Sequence, residues 1–431
     1  MRYAPHDLFF HTACFFLIGV LVASGTAAFT TPNAQILFII LATTLAAGIL
    51  WLFNTLRLLP FTAIILLGVG YYLVYDSYRQ NPAIAFNKEI IITGVVKDAR
   101  HHLDSQELTL ENRVKIYADR YPEFSYGDRI ELPGAVQRSH TPFTAGTVNA
   151  RYKKITLINK HNGNKIKEKL LAIKNAFENN LKKLLPHEQA AFLSGLTVGD
   201  TAEFSKKFTN ELRRSGTTHL VALSGSNISY IVKLIAGILG YCMIRRSTFW
   251  PTIGIILLFV IMAGAESSLI RAAIMGLITL MAERYERNKN TRNAMTAAAT
   301  IMVLYNPKLL VFDLGFQLSF LALAGITYIK PLFQKLPEKA RTFFLADELY
   351  TALSAQAAVM PLLAITIGRT VPWSFIPNVL ILPVIPPTII IGFMVGILGF
   401  ISPLIAFIPA WVVSILLRYE MEIIRLFAFA S

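Results

Sequence analysis

Residues 211–230 read ELRRSGTTHLVALSGSNISY and run from a charged, amphipathic approach straight into an apolar segment. They carry His219, Ser224, Gly225, Ser226 and Asn227 toward membrane depth. Polar or irregular backbone is tolerated at that depth only where protein buries it or where it lines a watery cavity. The stretch therefore points to a conduit or to an intramembrane site.

Three further polar stretches interrupt apolar runs. Arg271 sits in SSLIRAAIM, with Glu266 five residues before it. An arginine in the middle of a span costs several kcal/mol by insertion scales and is usually paired or solvated in a cavity. Two roles are open to it, a tie between helices and the lining of a cavity, and one residue can serve both. Gln317 and Ser319 lie in DLGFQLSF, where interhelical hydrogen bonds worth about 0.6–2 kcal/mol are the ordinary role. SAQAAVMP (354–361) is followed by IPNVLILPVIPP (376–387). There Asn378 stands among Pro377, Pro383, Pro386 and Pro387, which implies a broken or re-entrant helix; a merely kinked helix is the alternative.

Catalysis finds no such constellation. Carboxylates are scarce inside the apolar runs, none are paired, and no metal-ligand spacing occurs. His101 and His102 fall in an expected hairpin loop without partner ligands. Cys14 and Cys242 both lie in apolar runs and read as core residues. Neither metal, cofactor nor enzymatic activity is expected.

The elements that must hold these residues follow from composition. Of 431 residues, 54% are hydrophobic and 16% charged, against about 25% charged in soluble chains; mean hydropathy is +0.51. The apolar runs are long enough for a hydrocarbon core of about 30 Å. The fold class is a polytopic α-helical membrane protein. The net charge of +15 suits ordinary cytoplasmic loops as well as attraction to a polyanion or anionic lipid.

Three spans are expected first, at 8–29, 34–53 and 58–75, making 1–75 an N-terminal helical region. The first could pass for a signal peptide, but two more apolar runs follow at once, so a retained helix is expected. Residues 86–158 instead show short alternating runs at 89–96, 107–110, 113–118, 129–137 and 153–158, parted by turn residues. Five short strands there predict a small inserted β-barrel, OB-like in size and strand count, with a β-sandwich as the alternative. Residues 165–217 are expected to form amphipathic or interfacial helices. Within them Ile166, Leu170, Ile173, Phe177, Leu181 and Leu184 recur at helical spacing opposite a lysine-rich face. That helix could lie on a membrane or pack on the protein. Residues 218–431 then hold about eight spans, near 218–243, 249–264, 267–282, 292–305, 309–329, 347–367, 373–399 and 404–417, with an amphipathic tail after Arg418. Positive charge at Arg2, Arg57, Arg245, Arg246 and the loops 283–292 and 330–341 places the N-terminus in the cytoplasm and the barrel outside.

The order of motifs resembles a known family. SGLTVGD (194–200), RSGTTHLVALSGSNISY (214–230), SLIRAAIM (268–275), GFQLSFL (315–321), SAQAAVMP (354–361) and PNVLILP (377–383) are similar to the signature string of the ComEC-type competence proteins. RVKIYADRYPEFSYGDRIELPGAV likewise resembles that family's extracytoplasmic OB-like domain. The resemblance covers about 86–402 and implies a multi-pass channel of the bacterial inner (plasma) membrane for DNA uptake in transformation. The family commonly has a His where this chain has Asn227, which argues against a proton or metal role at that place. Many members carry a C-terminal metallo-β-lactamase-like nuclease domain; no H-x-H-x-D-H string occurs here, so the expectation is a chain lacking that domain and relying on a separate nuclease. With no P-loop string visible, an external cytoplasmic motor is expected, together with a DNA-delivery receptor.

A transported single strand needs electropositive walls and surfaces on which bases stack. His219, Ser224, Gly225, Ser226, Asn227, Arg271, Gln317, Ser319 and Asn378 are the expected lining of its path. In the barrel, Arg113, Lys115, Tyr117, Tyr126 and Arg129, with Arg120, Tyr121 and Phe124 interleaved, are the expected contacts to single-stranded DNA; Tyr117 could equally be core. The lysine-rich helix could hold lipid headgroups or phosphates. A transporter or flippase for another anionic substrate, such as a lipid-linked sugar, fits composition as well as DNA does. An integral membrane enzyme is disfavoured by the scarcity of carboxylates in the spans.

Overall fold

The computed structural model describes residues 5–26, 59–78, 86–139, 143–151, 154–221, 227, 230–232, 234, 237, 248–284, 290–333, 346–367 and 372–429. The expected span at 34–53 and most of that at 218–243 lie outside the described residues. The chain is mostly helical with one small mixed sheet, and it divides into two compact units.

The first unit comprises residues 1–82 and 274–323. Helix α1 (Pro5–Thr26) packs against α2 (Leu59–Tyr78). A side chain at Gly19 or Gly68 would run into the partner's backbone at Ile65 or Phe16, so both glycines permit the crossing. At one end Tyr75 donates to Asn306 Oδ1 (3.2 Å) and Lys308 pairs with Asp76 (2.7 Å). Near the same end of the pair, Arg292 pairs with Asp7 and lies over the Phe10 ring.

The second unit, residues 83–273 and 324–431, holds the sheet. Its strands are β1 (Glu89–His101), β2 (Ser105–Leu110), β3 (Val114–Asp119), β4 (Arg129–Ala135), β5 (Gln137–Arg138), β6 (Gly146–Asn149) and β7 (Thr156–Asn159), in the order β5-β6-β3-β2-β1-β4-β7. A bulge between Val96 and Asp98 lets the long β1 pair with β4 along its first half and with β2 along its second. Alternation places Ile92, Leu108, Leu110, Ile116, Ile130, Leu132 and Val148 in one core. The pairing thus ends at β5 and β7 rather than closing on itself as the expected barrel would. β6, which runs parallel to β3, was not legible in sequence, because four residues in a Thr- and Gly-containing run show no alternation worth reading.

The helices of this unit are α3 (Lys165–Leu184), α4 (His187–Val198), α5 (Lys206–Ser215), α6 (Thr218–Val221) and α7 (Phe249–Met262). Helix α8 (Ser267–Arg284) begins in this unit and continues in the first, which also holds α9 (Thr291–Tyr305), α10 (Leu309–Phe312) and most of α11 (Leu314–Ala324). A π-helical turn, Gly325–Ile329, leads to α12 (Lys330–Phe333), then α13 (Ala346–Ile367), α14 (Phe375–Ile381), α15 (Ile385–Leu398) and α16 (Pro403–Phe429). Among the described residues four helices are long and apolar enough to cross a membrane, or five if α14 and α15, bent by 51° at their break, count as one span. The expected break at 376–387 is therefore present. The expected end of the last span at 417 is not, since α16 continues unbroken to Phe429 and packs against α5.

Within the segment 165–217, α3 and α5 each bury one face and expose the other, whereas α4 is enclosed. Residues Gln189–Val198 of α4 are all buried, the pattern of a helix enclosed on every side. Nor does the C-terminal half of α3 lie free: Phe177 and Leu181 are buried, and Asn180 Nδ2 donates to Gly396 O at 3.2 Å. What admits these neighbours is a glycine stripe on α15. A Cβ at Gly392 would stand 2.5 Å from Leu193 and one at Gly399 2.8 Å from Asn180, while one at Gly396 would fall on the Phe177 ring. Gly396→Ala should destabilise the protein by about 1–3 kcal/mol through overpacking, read as a lower thermal midpoint. In a Phe177→Ala background the Gly396→Ala penalty should shrink, because the clash is gone; fully additive losses would show that the two sites do not touch.

Candidate functional site

The motif SGLTVGD acquires a structural meaning from its neighbours. Gly199 ends α4 in the left-handed conformation (φ 77°), its N–H donating to Ser194 O. The chain turns there so that Asp200 Oδ1 accepts from Ala202 N at 2.9 Å. Asp200 also pairs with Lys174 of α3 at 3.0 Å, and Lys174 stands 3.8 Å from Glu178. Ser194 donates to Glu178 at 3.1 Å, and Gln189 Oε1 accepts from Ser414 of α16 at 2.7 Å. Gly195 leaves room for Val221 and Phe204. Asn227, only 1% exposed, reaches Leu196 O through Nδ2 at 3.4 Å.

Electrostatics within this network oppose one another. Burial, and then the charge of Asp200, push the Glu178 carboxyl up to about 7 despite Lys174. Burial works against the charge on Asp200 too, but Lys174 and the Ala202 N–H outweigh it and hold that carboxyl below its usual range. Burial likewise disfavours the Lys174 ammonium, and Asp200 with Glu178 more than offsets it. One lysine thus serves two carboxylates and keeps Asp200 ionised.

The expected path residues divide between the units. His219 stands exposed on α6, and Arg271 on α8 is 9% exposed. Asn378 is buried on α14, next to the break, with Oδ1 unpartnered among the described residues. These three and Asn227 belong to the second unit, Gln317 and Ser319 to the first. Ser224, Gly225 and Ser226 lie outside the described residues. Gln317 spends its amide on the carbonyls of Leu310 (3.0 Å) and Val311 (2.7 Å), closing the α10–α11 corner. Ser319 is half-buried. Glu266 accepts from Arg100 of β1 at 3.4 Å, an exposed contact that ties the sheet to the loop before α8.

The expected sheet contacts do not form one patch. Lys115 and Tyr117 share the outer face of β3, and Tyr117 is 40% exposed rather than core. Lys115, however, is held by Glu107 at 2.7 Å. Arg113 lies in the turn before β3, with φ 63°. Tyr126 is committed to α3: its hydroxyl accepts from Asn164 N at 3.0 Å, and Lys167 lies over its ring. Arg129 is exposed on β4, with β1 and β2 between it and β3. Of the interleaved residues, Tyr121 is exposed under Arg120 while Phe124 belongs to the core.

Two features escaped the sequence reading. The stripe Gly392, Gly396, Gly399 was visible as G-x-x-x-G-x-x-G in an apolar run, a signal of close helix packing. Glu420 was visible beside Glu422 and Arg418, but its position in a supposed amphipathic tail concealed its burial. It is wholly enclosed, with Oε1 at 2.7 Å from Thr388 Oγ1.

The fold and site define a class: a mostly helical protein with several apolar helices of membrane-crossing length, a broken helix pair, buried polar groups on those helices and one small mixed sheet. The competence protein family model matches residues 196–431, and the chain belongs to that family. It is also 27% identical over 237 residues to ComE operon protein 3 of Bacillus subtilis (strain 168), a match covering 54% of this chain and 29% of that protein. The chain thus aligns with under a third of its curated relative. No solved structure matches it.

The buried network makes two predictions. Asp200→Asn takes the nearer carboxylate from Lys174 while Glu178 stays beside it, and should cost about 1.5–3 kcal/mol in denaturant unfolding of the detergent-solubilised protein; a loss under about 1 kcal/mol, the level of an exposed pair, would contradict it. Stability should also depend on pH from both sides. Asp200, with its depressed pKa, contributes stability above its unfolded pKa and loses it as pH falls through the folded value. Glu178 contributes below its unfolded pKa, and that stability is lost as pH rises through about 7. Glu178→Gln should therefore flatten the thermal midpoint on the neutral side and leave the acid side falling; an unchanged profile would remove Glu178 from the network.

Proposed function

We propose that the chain is a membrane channel that passes single-stranded DNA into the cytoplasm during natural transformation. The observation that carries this reading is the burial of Arg271, Asn227 and Asn378, with a 51° helix break beside Asn378, in a chain of the competence family. Polar groups enclosed in apolar helices and a broken helix are what a path for a polar solute requires. An arginine there supplies positive potential for phosphates.

In this reading the sheet stands outside the inner membrane of a bacterium, as an OB-like domain, and receives the strand. Support for the OB-like reading comes from connectivity. β4 and β5 are separated by Val136 alone; β4 pairs with β1 and β5 with β6. One continuous curved strand would thus link the two halves, with β6 parallel to β3. Tyr117 and Tyr121 offer exposed rings for stacking. An outside location suits the contacts of the sheet's hairpin end, since Arg100 meets Glu266 and His102 meets Ala202 O at 3.2 Å. It also suits α16, whose last third pairs through Arg425 with Glu188 (2.9 Å) and Glu211 (3.8 Å) on α4 and α5, helices that follow the sheet. The N-terminus is then cytoplasmic. A delivery receptor, a cytoplasmic motor and a separate nuclease would be the partners.

Two measurements test the reading. Arg271→Ala should lower the entry of labelled DNA into the cytoplasm of a transformable host at least tenfold while the membrane-inserted amount stays unchanged; if the protein level falls in proportion to uptake, Arg271 is a structural tie. Single-strand binding by the purified full chain should weaken as salt rises, and Tyr117→Ala should cost about 1–3 kcal/mol of it. Salt-independent binding, or none at low salt, would favour a different anionic substrate.

A further inference from the structure

Glu420 lies two-thirds of the way along α16, fully enclosed, in a helix whose buried face is otherwise apolar. Its Oε1 stands 2.7 Å from Thr388 Oγ1, and Oε2 has no partner among the described residues. Thr388 is itself fully buried on the first turn of α15. Its hydroxyl lies 2.9 Å from Val384 O, a carbonyl that also accepts from Thr388 N at 3.1 Å. Val384 is in the three-residue break between α14 and α15.

Proton counting constrains this chain of contacts. A threonine hydroxyl has one proton to donate and here faces two oxygens, Val384 O and Glu420 Oε1. Both short contacts are hydrogen bonds only if the hydroxyl donates to Val384 O and the Glu420 carboxylic acid donates to the hydroxyl. A carboxylate in the same place would have one hydrogen bond at most and no counter-charge, at a burial cost that a single neutral donor does not offset.

Among the described residues the surrounding elements place no cation against Glu420: Lys206, Lys207, Arg213 and Arg214 of α5 are all exposed. α14 and α15 contain no titratable side chain. From α4 and α5, Glu188 and Glu211 turn to Arg425, and His187 lines a surface groove with Arg418 and Glu422. On α3, Lys174 is held by Asp200 and Glu178, and Lys182 by Glu203. None of these forms an ion pair with Glu420.

We propose that Glu420 is a proton-binding site and that its proton is coupled to the break between α14 and α15. Binding takes a proton from water onto a carboxylate oxygen and completes the line Glu420–Thr388–Val384. Release leaves a carboxylate that must gain water or leave its enclosure, and either change moves the Thr388 contact that holds the first turn of α15 at the break. The inference does not rest on DNA as the substrate, because it concerns only the state of one carboxyl.

The test uses the full chain in nanodiscs, with Cys14→Ser and Cys242→Ser as background. With Glu178→Gln added to that background to remove the other carboxyl that titrates high, infrared spectra recorded across a pH titration should show a protonated-carboxyl band that Glu420→Gln abolishes and Thr388→Val shifts. The reactivity of a cysteine introduced by Pro383→Cys towards a water-soluble thiol reagent, corrected for its thiolate fraction at each pH, should rise several-fold with pH in the Glu420 chain and stay constant once Glu420→Gln is added. A band that persists in the glutamine variant, or the same labelling profile with and without Glu420, would overturn the proposal. Should the glutamine variant fail to fold, an unshifted band in Thr388→Val would overturn it equally.

Discussion

A helix enclosed on every side has no solvent to satisfy its polar side chains or to absorb a poor fit, so its neighbours must supply both hydrogen bonds and space. Helix α4 imposes that constraint on the second unit. Its three buried polar side chains find partners on three elements: Ser194 on α3, Gln189 on α16, and Thr197 on its own backbone at Leu193 O. Its small residue, Gly195, and the Gly392 of α15 allow α6 and α15 to close in. Movement of any one of these neighbours would expose a buried polar atom or open a void, and both are costly.

Buried polar groups in this chain are of two kinds. Gln317 completes two hydrogen bonds to nearby carbonyls and shapes a helix corner. Lys174 and Asp200 neutralise each other and fix a loop. Asn378 and Glu420 differ, because each keeps an oxygen without a partner among the described residues, and both lie on helices packed around the break in the chain. A satisfied polar group specifies a fold, whereas an unsatisfied one in an apolar helix keeps bonding capacity for a solute, a proton or a second conformation.

Much of the helical architecture was legible because hydrocarbon demands long apolar runs, and those runs are visible without knowledge of their partners. The break at 376–387 was legible from four prolines, since proline removes a donor whatever surrounds it. The sheet core was legible from alternation at β1 to β4. β6 was too short to alternate, and α4 was misread because a segment of mixed small, polar and apolar residues looks the same whether it lies on a surface or inside a protein. Tyr117 and Phe124 show the same limit: both are aromatic residues in or beside a strand, yet one is exposed and the other is core.

Composition and pattern by themselves determined the class of fold, the existence of buried polar groups in apolar helices, and the ordered motifs that mark the competence family. These are properties of residue type and spacing, which burial energetics convert directly into helices and strands. Tertiary structure alone decided which polar groups are satisfied. That Lys115 is neutralised by Glu107, that Tyr126 is held by α3, that Glu266 meets Arg100, and that Glu420 is enclosed against Thr388 all depend on contacts between residues distant in the chain. Hydrogen bonds and ion pairs act over a few ångströms, and only the packed chain brings those distances into being.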